Sequence, residues 1–153
     1  MNKLLLIAAL AVAGYFAFVP APGTSDGSGA AVQPGLSARA GEGNDAAIDH
    51  AFANRLGNQQ LEGKGTVEKL LPDDNTGSRH QRFIVRLDSG RTLLVSHNID
   101  LAPRIDSLHA GDLVAFYGEY EWNPKGGVIH WTHRDPQGHH VAGWIRHDGR
   151  IYQ

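Results

Sequence analysis

No cysteine occurs anywhere in the chain. That excludes disulfides, a lipidated cysteine anchor, a thiolate nucleophile and every cysteine-based zinc site. Aromatic residues are sparse, at 8%. Neither sign of charge dominates: 14 Lys and Arg stand against 16 Asp and Glu, a formal net charge of -2. The chain therefore lacks the net basic surface that strong, non-specific binding of phosphate polymers requires. No P-loop and no H-E-x-x-H helix is present, so the simplest nucleotide and metalloprotease readings have no motif to stand on.

What the chain does have is histidine. Nine occur in its 153 residues, and eight of them follow Gly63. Between Gly63 and Gln153 basic and acidic residues are equal in number, so mild acid would turn this part positive as imidazoles charge near ~6.5.

The start of the chain sets an expectation of export. Lys3 supplies a positive charge, and Leu4 to Val19 is apolar throughout. A short basic segment followed by an apolar one is the pattern of a secretory signal peptide. The rival is an uncleaved membrane anchor, for which the run falls short of the usual ~20 residues. Small residues for cleavage stand at Ser28-Gly29-Ala30, far from the apolar run, and at Val19-Pro20-Ala21, where Pro22 would follow the cut. Residues 1–21 are thus read as signal peptide or anchor. Residues 22–43, rich in Gly, Ala, Ser and Pro, read as a flexible linker. Residues 44–153 read as one domain, placed in the periplasm or outside the cell.

Within that domain, "NDAAIDHAFANRLGNQQ" opens on an N-cap at Asn44 or Asp45. Ala47, Ile48, Ala51, Phe52 and Leu56 fall on one face, so a short amphipathic helix ending near Gly57 is expected. The period then changes to two. Strands are expected at Gly65–Leu71, His80–Leu87, Thr92–His97, Leu113–Trp122 and Val128–His133. Asp88-Ser89-Gly90 and Asp148-Gly149 are hairpin turns. Leu101, Ile105 and Leu108 predict a helical turn between the third and fourth strands. The order is that of a mainly β, small five-stranded OB-like Greek-key barrel with a short N-terminal helix and a C-terminal hairpin. A small sandwich or an SH3-like barrel is the alternative. Gly118 inside the fourth strand suits a bend or bulge.

The stretches "GSRHQRF", "HNIDLAPRI" and "GEYEWNPKGGVIHWTH" carry a resemblance. With them, the region from Gly63 to Gln153 resembles a family of small exported bacterial proteins known as a domain of unknown function (DUF3465). The resemblance implies a one-domain exported protein and transfers no activity and no catalytic residue.

The site must come from chemistry. OB-folds bind ligands across strands two and three, flanked by the loops joining strands one to two and four to five. Here those loops are "PDDNTGSR" and "WNPKGG". The candidate ligand-binding residues are Asp73, Asp74, Arg79, His80, Arg82, Arg86, His97, Asn98, Trp122 and Asn123. Trp122 offers a stacking face, and Asn98 and Asn123 offer hydrogen bonds. The bland alternative is that Trp122 caps the barrel and the arginines pair with acids. Trp131 and Trp144 are expected in the core, with His130 and Thr132 facing out.

No metal or other cofactor is expected, and catalytic residues are unknown. Lesser metal candidates are His133, Asp135, His139 and His140, because a loop can fold them around an ion. Glu119 and Glu121 share a strand face, so a carboxylate pair is the competing reading to a solvated edge. The expected function is a binding module for an extended polymer (a nucleic-acid strand or an oligosaccharide) or for a protein partner. The alternative is a secreted metal-dependent nuclease or phosphodiesterase using Asp73, Asp74, Arg79, Arg82 and Glu119. An anionic ligand would bind more tightly as His80 and His97 charge between about pH 7.5 and 5.5.

Overall fold

A computed structural model describes residues 45–153. The signal or anchor and the whole linker expected from the sequence, with the cap candidate Asn44, lie outside the described residues. No helix among the described residues is long and apolar enough to cross a membrane.

The domain is mainly β, with one short helix and a C-terminal hairpin, as the sequence led us to expect. Its elements are α1 (Asp45–Ala53), β1 (Gln59–Asp74), β2 (His80–Leu87), β3 (Thr92–Asn98), β4 (Leu113–Glu121), β5 (Val128–His130), β6 (Trp144–His147) and β7 (Arg150–Tyr152). The first five strands close a ring: β1–β2, β2–β3, β3–β5, β5–β4 and β4–β1 are all paired. Every pairing is antiparallel except β3–β5.

β1 closes the ring because it is longer than expected. Its first half, Gln59–Thr66, lies on β4, and its second half, Gly65–Asp74, lies on β2. The polar letters "QQLEGKG" hid the first half. Gly63 and Gly65 explain the break in alternation. A side chain at Gly63 would meet Phe116 and Ile48, and one at Gly65 would meet the Arg86 carbonyl.

The core is the inward set of these strands: Val67, Phe83, Val85, Leu87, Leu93, Val95, Val114, Phe116, Tyr120 and Ile129. Period-two alternation places them there. Helix α1 covers one end with Ile48 and Ala51. It ends at Ala53 rather than near Gly57, and Arg55 follows in a left-handed conformation (φ 54°). Asp45 and Asp49 tie it to the β2–β3 hairpin through the Ser89 N–H and the Arg91 guanidinium.

The segment between β3 and β4 supplies Ile105 and Leu108 to the core. It forms turns, not a helix. The buried Gln81 side chain holds it: its amide N–H donates to the Ile105 carbonyl (3.0 Å), and its oxygen accepts the Ile105 N–H (2.9 Å). Two hydrogen bonds to the N–H and C=O of one residue act as a strand partner would, so no helix is needed to satisfy them.

Candidate functional site

β4 sets the site because it has two partners along one edge. Glu119–Glu121 pair with β5, and Val114–Tyr117 pair with β6. Residues 131–143 leave and rejoin that edge at Gly118. A side chain on Gly118 would strike the His130 carbonyl, Thr132 and Ile129. Gly118 is therefore a place of close approach. The neck of the excursion is closed by the Gly143 N–H donating to the His133 carbonyl (3.0 Å).

The tip is organised by Asp135. Its carboxylate accepts the backbone N–H groups of Gln137, His139 and His140 at 2.7–3.0 Å. These bonds, led by that from Gln137, hold the Asp135 carboxyl below its usual range. The aspartate shapes the loop, and the loop returns His140 over β4. There His140 Nε2 lies 2.5 Å from Glu119 Oε2. From β5, His130 Nε2 lies 3.4 Å from the other oxygen, Glu119 Oε1. Glu121 stands one turn of the pleat further along, with Oε1 accepting the Asn58 N–H (2.9 Å). Ligand atoms of Glu119, Glu121 and His130 all fall within 4.8 Å of one another, the one such group of three or more among the described residues.

Trp131 corrects an expectation. Alternation would send it inward; instead its φ is 52°. A left-handed backbone at a bulky residue is costly. It breaks the alternation: Thr132, expected to face out, is turned inward. Trp131 is half-buried at the surface, while Thr132 and His133 are buried. The indole stacks on His140, with centroids 4.0 Å apart and planes 6° from parallel. Trp144, also expected in the core, is half-buried against Tyr117 and the Arg146 guanidinium.

Two adjoining depressions share Trp131 and Leu101. One, of about 350 Å³, is lined by Ser78, His80, Asn98, His130 and His133 as well. The other, of about 380 Å³, runs along Asp135–Gln137, His139 and His140. A third hollow, of about 440 Å³ near Leu113 and Asp148, is lined by no aromatic ring and by none of the residues expected to bind ligand or metal.

The imidazoles of this face are oriented by backbone carbonyls. Nδ1–H donates from His80 to Ser78 O (2.8 Å), from His133 to Arg134 O (2.8 Å) and from His140 to Val141 O (3.1 Å). A carbonyl only accepts, so each ring carries its proton on Nδ1 and turns Nε2 elsewhere. Burial alone would lower the His140 pKa, but the Val141 carbonyl and the Glu119 carboxylate outweigh it and raise it. His130 is lowered by burial, against the pull of Glu119 and Glu121. Its Nε2 is buried with no hydrogen-bond partner.

The remaining expected residues are placed as follows. Arg79 pairs with Asp100 (2.7 Å), Arg86 with Glu68 (2.7 Å), and Asp73 with Arg104 (3.3 Å). Arg82 donates to the Pro72 carbonyl (2.9 Å). Asp74 accepts the Thr76 N–H, which lowers its pKa. Asn98 and Asn123 accept backbone N–H groups of their own turns. Trp122 lies against Phe52 of α1 and the Arg55 guanidinium. The loops holding Asp73–Arg79 and Trp122–Gly127 stand at opposite ends of β3, about 20 Å apart along the strand.

His97 is fully buried, donating Nε2–H to Pro103 O (3.1 Å) and accepting the Thr132 hydroxyl at Nδ1 (2.8 Å). Burial pushes its pKa down to about 4. It therefore stays neutral at pH 5.5 and cannot add charge for a ligand there, which corrects its expected role. The alternation Leu93, Val95, His97 carried that signal. Of the loop candidates for metal, Asp135 is taken up by backbone, and His140 has left His133 and His139 for Glu119. That pairing spans 21 residues and had no local signature.

A comparison with curated proteins finds no match. The family model for a protein of unknown function (DUF3465) matches residues 32–153, and the chain belongs to that family.

Proposed function

We propose that the chain is an exported, OB-like binding module whose ligand is an extended oligosaccharide. The ring order β1-β2-β3-β5-β4 with a parallel β3–β5 pair fits an OB-type scaffold, which binds ligands on the outward face of its middle strands. The observation that carries the reading is Trp131. A bulky side chain held out by a left-handed backbone, between two hollows lined with imidazole, amide and hydroxyl groups, is a platform for a sugar ring. The arginines favour a sugar over a nucleic acid, because Arg79, Arg82, Arg86 and Arg104 are each engaged by a carboxylate or a carbonyl. A protein partner is the other outcome for the same face. Export rests on Lys3 and the apolar run Leu4–Val19.

The test is a panel of glycans and single-stranded nucleic acids, followed by tryptophan fluorescence in chelator at low and high salt. The reading expects glycan binding that is insensitive to salt and that falls ~5–100-fold in Trp131→Ala, the worth of one stacked ring. Binding that collapses with salt would indicate phosphate contacts instead. Unchanged binding in Trp131→Ala would remove this face from the account. A second reading, a secreted metal-dependent nuclease or phosphodiesterase, draws on the Glu119–Glu121–His130 group. It requires substrate loss with divalent ions that stops in chelator.

A further inference from the structure

We propose that Glu119, Glu121 and His130 bind one divalent transition-metal ion, with zinc the best fit. The inference is independent of the oligosaccharide reading. The hydrolytic reading needs such an ion, but the ion needs no hydrolysis.

The strands bring the three side chains together. Glu119 and Glu121 are two apart on β4, so period two puts both on one face. His130 on β5 stands directly opposite Glu119. Opposed residues of an antiparallel pair hold their Cβ atoms about 4.5–5.5 Å apart, and a diagonal neighbour such as Glu121 stays within reach of a long side chain. One ligand atom from each residue lies within 4.8 Å of the other two. A point between three atoms so spaced is at most about 2.8 Å from each, ~0.7 Å beyond a zinc bond of ~2.0–2.1 Å. Small torsional changes of the three side chains close a gap of that size.

Three observations point to an ion rather than to a solvated acidic edge. The first is His130 Nε2. It is buried without a hydrogen-bond partner, and Glu119 Oε1 is 3.4 Å away. That is long for a hydrogen bond, but it matches the spacing of about 3.3–3.4 Å between two donors at tetrahedral angles on one zinc. A buried polar nitrogen with no partner marks a missing one.

The second is the place kept for Glu121. A side chain at Gly57 would strike Glu121 Oε2, so glycine leaves that carboxylate its room. The Asn58 N–H holds the other oxygen, Oε1, at 2.9 Å. The third is donor chemistry. Two carboxylates and an imidazole are an oxygen and nitrogen set of the kind zinc takes in open sites. Glu119 is only 14% exposed, and two carboxylates this close repel. A divalent cation between them removes the repulsion.

His140 is not a ligand. Its Nε2 reaches Glu119 Oε2, the oxygen other than the one facing His130. It orients the carboxylate, as hydrogen-bonded neighbours of ligating carboxylates generally do.

The experiment is isothermal titration of the full chain, made without a histidine tag, with zinc chloride. One ion per chain is expected. Glu119→Gln, Glu121→Gln and His130→Ala should each weaken binding by at least about 100-fold, the upper end of what loss of a ligand's neighbour costs. Glu121→Gln keeps an oxygen for the Asn58 N–H, so it spares the fold. His140→Ala should cost less than any of the three, and His139→Ala nothing. In NMR spectra of the wild-type protein, zinc should shift the imidazole nitrogens of His130 and leave those of His139 in place, a readout that no misfolded variant can disturb. Binding without stoichiometry, zinc affinity that survives Glu121→Gln, or shifts confined to His133, His139 and His140 would each overturn the site. One bound ion without turnover of phosphodiesters upholds the site and removes only the hydrolytic reading.

Discussion

The histidines divide into two sets by which ring nitrogen is tied to the fold. His97 and His147 are core residues held through Nε2–H, His97 to the Pro103 carbonyl and His147 to the Asp112 carboxylate at 2.9 Å. His80, His133 and His140 are held through Nδ1–H to carbonyls close to them in sequence. The first set bridges distant elements and is spent on the fold. The second is oriented locally and directs Nε2 away from its own backbone. The difference teaches where chemistry is available: abundance of histidine says little, and the atom left over says much.

The Asp73–Arg79 loop gives the opposite lesson. It looked like the site because it is distinctive, yet Arg79 is paired with Asp100 and Asp73 with Arg104.

The largest expected effect lies in the core set. His97 has a folded pKa of about 4 against an unfolded value of about 6.5. Between these values the unfolded chain binds the extra proton, so stability is intact above pH ~6.5 and is lost as pH falls toward ~4. That interval is worth roughly 3 kcal/mol. Urea midpoints measured across it should fall steeply for the wild type and less steeply for His97→Gln. His130, also lowered, contributes in the same direction. Equal slopes in the two proteins would mean that His97 is not the buried neutral ring described.

The next effect joins the two sets. Gly118→Ala forces a methyl group against the His130 carbonyl and Thr132. Overpacking of this kind costs about 1–3 kcal/mol. Because the clash falls where residues 131–143 leave β4, the variant should also weaken glycan binding. Stability lost with the ligand retained would separate the loop from the site.

His80→Ala comes third. As a half-buried residue with one local bond, it should change stability by no more than about 1 kcal/mol while weakening glycan binding measurably. Arg79→Ala and Arg86→Ala are the smallest. Both ion pairs are largely exposed, so each loss should fall within about 0–1 kcal/mol with ligand binding unchanged. A strong binding defect in either would return the site to the loops.

Much of this could be read in the sequence wherever the cause is local. Within the expected strand His80–Leu87, Phe83, Val85 and Leu87 alternate inward as period two dictates. The turns at Asp88–Gly90 and Asp148-Gly149 form where glycine permits a positive φ, 84° at Gly90 and 74° at Gly149. The candidate site was less legible because its geometry is set at a distance. Nothing near Trp131 announces a left-handed backbone. It sits where the chain passes closely over Gly118, and the return of His140 is held by three N–H bonds to Asp135. Gln81 and Ile105 find each other across 24 residues. Period two runs inward through Gln81 and His97, yet His97 was read as a ligand contact, and nothing local pointed to the partners of either.

The most direct test of the division between the two sets is a long-range proton–nitrogen NMR spectrum of the imidazoles in metal-free protein near pH ~8, where an ordinary histidine is neutral. The account predicts Nδ1–H rings for His80 and His133, a proton on Nδ1 of His140 toward the Val141 carbonyl, and Nε2–H rings for His97 and His147. A spectrum in which His80, His133 and His140 share the Nε2–H form of the core pair would contradict it.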